Sequence, residues 1–184
     1  QGVNITAPLP KDFLTTGNAD IEINGRRTSE EDFTTFISGT INARRSVYRK
    51  DIDLADLIAG RGDRSLSTGS GDIGTTNLDI RIVGRNALVV RNNLADLTAT
   101  ADLRVTGDVD FPQISGRITA DSGTLFFRSN RYVIQRGVVT FPPNTTIEPI
   151  INLQAETEIK GYQIFLNLSG PLSDSEALSV TPRS

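Results

Sequence analysis

The amino-acid sequence predicts an all-β protein built on one elongated antiparallel sheet, and three observations carry that prediction. Long stretches alternate apolar and polar residues with a period of two, the spacing that gives a strand one apolar and one wetted face. The breaks between stretches are turn-sized, and loops that short join antiparallel neighbours, because a parallel pair needs a crossover of roughly a dozen residues or more. The pattern also repeats. Ala19-Asp20-Ile21-Glu22-Ile23-Asn24-Gly25 returns as Ala101-Asp102-Leu103-Arg104-Val105-Thr106-Gly107, and Ser38-Gly39-Thr40-Ile41-Asn42-Ala43 returns as Ser115-Gly116-Arg117-Ile118-Thr119-Ala120. Repeated units of this kind bury their apolar faces against a neighbour or a ligand, which favours an extended sheet over a compact enzyme.

In chain order, Gln1–Leu9 alternates as an edge strand or a frayed terminus, and Ala19–Gly25 is a strand. Ser29 is placed to cap a helical turn over Glu30–Ile37, with Phe33, Phe36 and Ile37 on one side. Short strands follow at Ile37–Ala43 and Ser46–Arg49. A second helical turn over Asp53–Ala59 carries Leu54, Leu57 and Ile58 on one face and stops at Gly60. Residues 61–76, rich in Gly, Ser and Thr, read as a flexible loop before strands at Asn77–Val83 and Ala87–Val90.

The second half is more regular. Leu97, Ala99, Ala101, Leu103 and Val105 alternate with Thr98, Thr100, Asp102 and Arg104. Short strands at Ile114–Ala120, Gly123–Arg128, Arg131–Gln135 and Val138–Phe141 are divided by Asp121-Ser122-Gly123, Ser129-Asn130 and Arg136-Gly137, all turn chemistry. Pro142-Pro143-Asn144 opens a longer connection, and alternation resumes over Ile151–Ile159 and Tyr162–Leu168.

The bulk composition narrows the function. A chain of 184 residues is enough for one domain, 1–184, within which 19–60 and 101–141 form two related sub-repeats. Its 37% apolar content is low for a globule of that size. A net charge of −3 with scattered arginines argues against a nucleic-acid partner. The absence of Cys and His removes the commonest metal ligands and nucleophile–base pairs, so neither cofactor, metal nor catalysis is expected. No apolar run is long enough to cross a bilayer as a helix, and no initiator Met opens the chain. These features suggest a piece of a longer protein, with any membrane anchor or export signal outside it.

Isolated motifs carry little. Gly69-Ser70-Gly71-Asp72-Ile73-Gly74 matches a dinucleotide fingerprint, but a polar stretch precedes it and a strand follows, the reverse of what a pyrophosphate site needs. Arg61-Gly62-Asp63 is a tripeptide that recurs by chance. The acceptor triplets at Asn4, Asn144 and Asn167 matter only in a eukaryotic secretory context. Glu156 and Glu158 share the polar strand face with Gln154 and Lys160, without the apolar pocket an acid–base pair requires.

What remains is the apolar stripe. Alternation puts Leu97, Leu103, Val105, Ile118, Leu125, Phe127, Ile151, Leu153, Ile159, Ile164, Leu166 and Leu168 on one face. The pattern leaves two outcomes open. A second sheet can cover the stripe in a sandwich, or the sheet can curl over it and leave a groove. About ten strands at ~4.8 Å spacing would make a trough on the order of 50 Å long.

The order of blocks from Leu97 to Leu172 resembles the carboxy-terminal region of the TamB family, the AsmA-like proteins of the translocation and assembly module. The blocks are Asp102–Gly107, Phe111-Pro112-Gln113-Ile114-Ser115-Gly116-Arg117-Ile118, Ser122–Phe127, Tyr132–Gly137, Val139-Thr140-Phe141, Pro149–Leu153 and Gly161–Ile164, and the Gly39–Leu57 segment is similar too. The resemblance implies a β-taco: a curled antiparallel meander with an aliphatic groove and at most one or two short helices. It also implies a periplasmic segment of an inner-membrane-anchored protein in a diderm bacterium, with phospholipid acyl chains as ligand. An outer-membrane partner of the BamA class (TamA-like) is implied as well, with an alternative role in holding β-strands of outer-membrane proteins during assembly.

Overall fold

Period-two alternation becomes a single sheet in which, among the described residues, no strand has a second layer to pack on. The computed structural model describes residues 3–8, 13–27, 33–51, 76–127, 130–143, 148–172 and 179–180. Ten strands form one sheet in sequence order: β1 (Val3–Pro8), β2 (Phe13–Arg27), β3 (Phe33–Tyr48), β4 (Thr76–Arg91), β5 (Ala95–Asp108), β6 (Gln113–Phe127), β7 (Asn130–Phe141), β8 (Ile150–Ile159), β9 (Tyr162–Pro171) and β10 (Ser179–Val180). The sheet is open and curled. Substantial contacts between elements run only from each strand to its lateral neighbours. The sandwich alternative is therefore excluded for the described residues: no large side chain among them is fully buried.

All neighbours pair antiparallel except β3 and β4, which run parallel with Thr35 opposite Thr76 and Tyr48 opposite Val90. The uninterrupted antiparallel meander expected from the sequence is corrected at this one point. A parallel step needs a long return segment, and residues 49–75 supply it. The expected helical turn over Glu30–Ile37 is also corrected, because Phe33–Ile37 lie in β3. Three apolar residues at helical spacing are too few to hold a helix against a full ladder of hydrogen bonds to β2. The expected turn over Asp53–Ala59 and nearly all of the 61–76 loop lie outside the described residues; Thr76 begins β4.

The sequence breaks inside the strands have a different meaning from the one expected. Asp121-Ser122-Gly123 and Arg136-Gly137 do not turn the chain. They lie within the continuous strands β6 and β7. In the same way Ala43–Ser46 stays inside β3 and Gly84–Ala87 inside β4. Each is an irregularity of register, falling between Thr16 and Gly17, Asn42 and Ser46, Gly84 and Leu88, Thr98 and Ala99, and Ile134 and Arg136. A bulge bends its strand and sharpens the local twist. Because Gly17 pairs Ala43, Leu88 pairs Ala99, Ala99 pairs Ala120, Ala120 pairs Gly137 and Gly137 pairs Leu153, these bends fall on one line across the sheet. That line is a crease.

Small residues let the strands approach at the crease. A Cβ added at Gly84 would lie 2.8 Å from Ala87 Cβ and 3.1 Å from Ala43 Cβ, and one added at Gly137 would lie 3.0 Å from Ala120 Cβ. Burial concentrates there, at Ala87, Ala99, Leu153 and Ala155. On the other face the bend is tied by a polar chain across three strands. The Asn86 amide donates to Thr100 Oγ1 at 3.0 Å, and the Thr100 hydroxyl donates to Asp121 Oδ2 at 2.8 Å. Asn86 itself takes a positive φ of 49°.

The repeated sequence units occupy matching register. Ala19, Ile21 and Ile23 pair with Ile41, Gly39 and Ile37, and Ala101, Leu103 and Val105 pair with Ile118, Gly116 and Ile114. Gly39 and Gly116 are each the glycine opposite the central aliphatic residue, with φ of 153° and 120°. A Cβ would collide with the carbonyl oxygen of Asp20 at Gly39 and of Asp102 at Gly116. Only glycine tolerates this combination.

The polar face carries an ion-pair lattice. Arg81 and Arg104 lie directly opposite one another, a repulsive pairing by itself. Each instead reaches the diagonal carboxylate. Arg81 meets Asp102 through Nε–Oδ1 at 3.2 Å and Nη2–Oδ2 at 3.0 Å, while Arg104 meets Asp79 through two contacts of 2.7 Å. Hydrogen bonds from these guanidinium groups hold the Asp79 and Asp102 carboxyls below their ordinary value. The groups are exposed, so the pairs set register more than they add stability.

Gly116→Ala is expected to lower stability by about 1–3 kcal/mol, read as a fall in the urea midpoint. Gly161→Ala, where no atom lies within 4 Å of the added carbon, is expected to cost less because only the positive φ opposes it. The depressed carboxyls stabilise the fold above their unfolded-state value of about 3.9. That contribution is lost as pH falls through the lower folded-state values. Stability is therefore expected to decline slightly below about pH 4, and an Asp79→Asn, Asp102→Asn double variant to flatten that decline in thermal melts.

Candidate functional site

The face opposite the ion pairs is built from the alternating aliphatic positions. Register carries it from strand to strand: Ile41 beside Ile82, Ile82 opposite Leu103, Ala101 opposite Ile118, Ile118 opposite Val139, Val139 opposite Ile151, and Leu153 opposite Leu168. From Thr35 on β3 to Gly170 on β9 this register places no charged residue on it. Arg27, opposite Phe33, stands at its margin. Every charged group of the ion-pair lattice is on the other side.

All twelve positions singled out from the sequence fall on this apolar face. Leu97, Leu103 and Val105 come from β5, Ile118, Leu125 and Phe127 from β6, Ile151, Leu153 and Ile159 from β8, and Ile164, Leu166 and Leu168 from β9. Leu153 is 7% exposed; the other eleven are half-buried. Half-burial is the expected state of side chains shielded by lateral neighbours and left open above.

The curl hollows this face into a cavity of about 490 Å³ where β2 to β6 cross the crease. Its floor is Gly17, Ala19, Ala43, Gly84, Ala87 and Ala101, and its walls are Ile21, Ile41, Ile82, Leu88, Leu103 and Ile118. Thr15, Asn18 and Ser46 are its polar lining, and the Thr15 hydroxyl donates to Ser46 Oγ at 3.2 Å. No buried side-chain polar atom among the described residues lacks a partner. Larger hollows of about 910 and 600 Å³ lie on the polar face, but charged and hydroxyl side chains line them and they stand open to water. The hollow between β2 and β6 is the one lined mainly by hydrocarbon.

Of the twelve positions, Leu103 and Ile118 border the cavity, and the rest continue the apolar face beyond it. The first-half residues Ile21, Ile41, Ile82 and Leu88 and the alanine floor were not singled out. Their signal was present: the repeat equates Ile21 with Leu103 and Ile41 with Ile118, so the second-half choices had first-half counterparts. The floor was harder to find, because alanine and glycine at strand breaks look like turn residues.

The chemistry of the site is that of an uncharged hydrocarbon surface. Among the described residues no group of His, Cys, Asp or Glu is placed to hold a metal, and no helix is long and apolar enough to cross a membrane. No curated protein matches the chain. The family model of the TamB C-terminal domain matches residues 5–181, which extends the likeness seen in the sequence over nearly the whole chain. With the open curled sheet and its uncharged inner face already in view, that match means the chain belongs to the TamB C-terminal domain family and is a cell-envelope protein with a TamB-type role in envelope assembly.

Proposed function

We propose that the apolar face shields phospholipid acyl chains as they pass between the inner and outer membranes, and that it does so without catalysis. On this reading the domain works in the periplasm of a diderm bacterium, as part of a longer chain anchored in the inner membrane. An outer-membrane protein of the BamA class receives its far end. The observation that carries the reading is the uncovered, uncharged aliphatic face that crosses the sheet without a second layer.

The energetics suit passage more than capture. Removing a methylene from water is worth ~0.8 kcal/mol, so a tail in the trough is strongly held against escape into the periplasm. A bilayer interior is about as apolar as leucine, so transfer from membrane to trough is close to neutral. No charged side chain lines the cavity to hold a headgroup, and Thr15 and Ser46 bond to each other. A lipid can therefore slide, driven by an outside gradient or a partner.

A second reading draws on the open edges. No further strand pairs with the outer sides of β1 and β10 in the described structure. An unpaired edge can accept an incoming strand, as in a holding role for outer-membrane proteins.

A photo-crosslinking residue at Leu103 is expected to capture lipid, while one at Thr119, on the polar face opposite Thr100, captures none. Leu103→Asp is expected to cut acyl capture at least about tenfold by placing an uncompensated carboxylate in hydrocarbon. Capture of peptide strands at the edges, with none of lipid at Leu103, would instead establish the second reading.

A further inference from the structure

The crease is also the line along which lateral hydrogen bonding lapses. In every ladder from β2–β3 to β7–β8 the regular pairing breaks there. Between β6 and β7 it stops at Ala120–Gly137 and resumes at Thr124–Val133. The flank on each side keeps its ladders, and the outer pairs β1–β2 and β8–β9 run through without a break. Side chains do little to lock the line, because Ala43, Gly84, Ala99, Ala120 and Gly137 carry at most a methyl group. A few adjacent residues in each strand can then absorb a change of backbone angle, which is the arrangement of a hinge.

One polar chain bridges the lapse. The Asn86 amide, which has no partner in the β4–β5 ladder, donates to Thr100 Oγ1 at 3.0 Å. The Thr100 hydroxyl uses its single proton on Asp121 Oδ2 at 2.8 Å, and Asp121 is the residue that β6 inserts at its own bulge. Thr100 thus joins the inserted residues of the strands on either side of it. Asn86 and Thr100 lie on the polar face, yet each adjoins in the chain a floor residue of the apolar cavity, Ala87 and Ala101. The polar chain therefore backs the hollow from behind.

We infer that the crease is a hinge about which the two flanks of the sheet swing, widening and narrowing the apolar hollow, and that Thr100 is the positioning residue that sets its resting width. One hydroxyl accepts from β4 and donates to β6, replacing lateral bonds that the bulges removed. Its action on the hollow runs through the backbone, since its side chain lines the polar hollows on the opposite face. The inference concerns the shape of the sheet and stands whether or not the trough carries lipid.

The chain contains no cysteine, so spin labels on introduced cysteines report chosen distances alone. Asp96→Cys with Gln113→Cys places labels on opposite flanks of the adjacent strands β5 and β6, whereas Asn24→Cys with Gln113→Cys places both on one flank. The distance across the crease is expected to be more broadly distributed than the distance within the flank. Thr100→Val should broaden the first distribution further, shift its mean and speed deuterium exchange at the Asn86 amide, with the second distribution unchanged. Asp121→Ala should act in the same way. Thr100→Ser, which keeps the hydroxyl, and Thr119→Val, at the neighbouring position on β6, should leave both distributions as they were. Equally narrow distributions for the two pairs, indifference to Thr100→Val, or failure of Thr100→Ser to preserve the distance overturns the inference. Equal broadening of both pairs by Thr100→Val also overturns it, since that outcome marks a general loosening of the sheet.

Discussion

The close approach of backbones along the line from Ala43 through Gly84, Ala99 and Ala120 to Gly137 is the contact on which the rest of the sheet depends. Larger side chains there would push the strands apart, flatten the bend and leave a plane. With alanine and glycine in place, each bulged strand bends at the same level as its neighbours, and the larger aliphatic residues are carried up the two sides. The hollow is thus made by what is missing at the crease as much as by what lines its walls. The chain of hydrogen bonds from Asn86 through Thr100 to Asp121 holds the outer side of the same bend.

A sheet without a second layer needs another source of stability. Here it comes from lateral pairing: nine consecutive ladders, most of them ten or more residues long, satisfy the backbone while half-burying one face. Each strand depends chiefly on its two neighbours, the one-dimensional arrangement of repeat proteins. Among the described residues nothing covers the apolar face, and an exposed apolar surface of this extent is uncommon on a protein with no partner for it. The feature that makes the domain marginal as a globule also suits it to an envelope role.

Much of this was legible because a strand's side-chain period is two. The alternation of Leu97 to Val105, Ile151 to Ile159 and Tyr162 to Leu168 assigned those residues to one face, and register confirms the shared side. The internal repeat carried more than was drawn from it, since matching Ile21 to Leu103 and Ile41 to Ile118 reaches the cavity's other wall. The breaks were misleading. Asp-Ser-Gly and Arg-Gly serve equally at a turn, which reverses the chain, and at a bulge, which only bends it. Short windows also mislead: Phe33, Phe36 and Ile37 fit a helical face, and only the ladder to β2 shows that they extend.

The amino-acid sequence by itself determined the class of structure, the apolar stripe and the lack of any metal-ligating or nucleophilic set built on Cys or His, because composition and periodicity are local properties. The tertiary structure decided what the stripe faces. Whether a strand break turns or bends, whether two strands run parallel, and whether an apolar face meets a second sheet or a hollow all depend on hydrogen-bond register between residues far apart in the chain. No local pattern encodes that register, since it is set by all ten strands pairing at once.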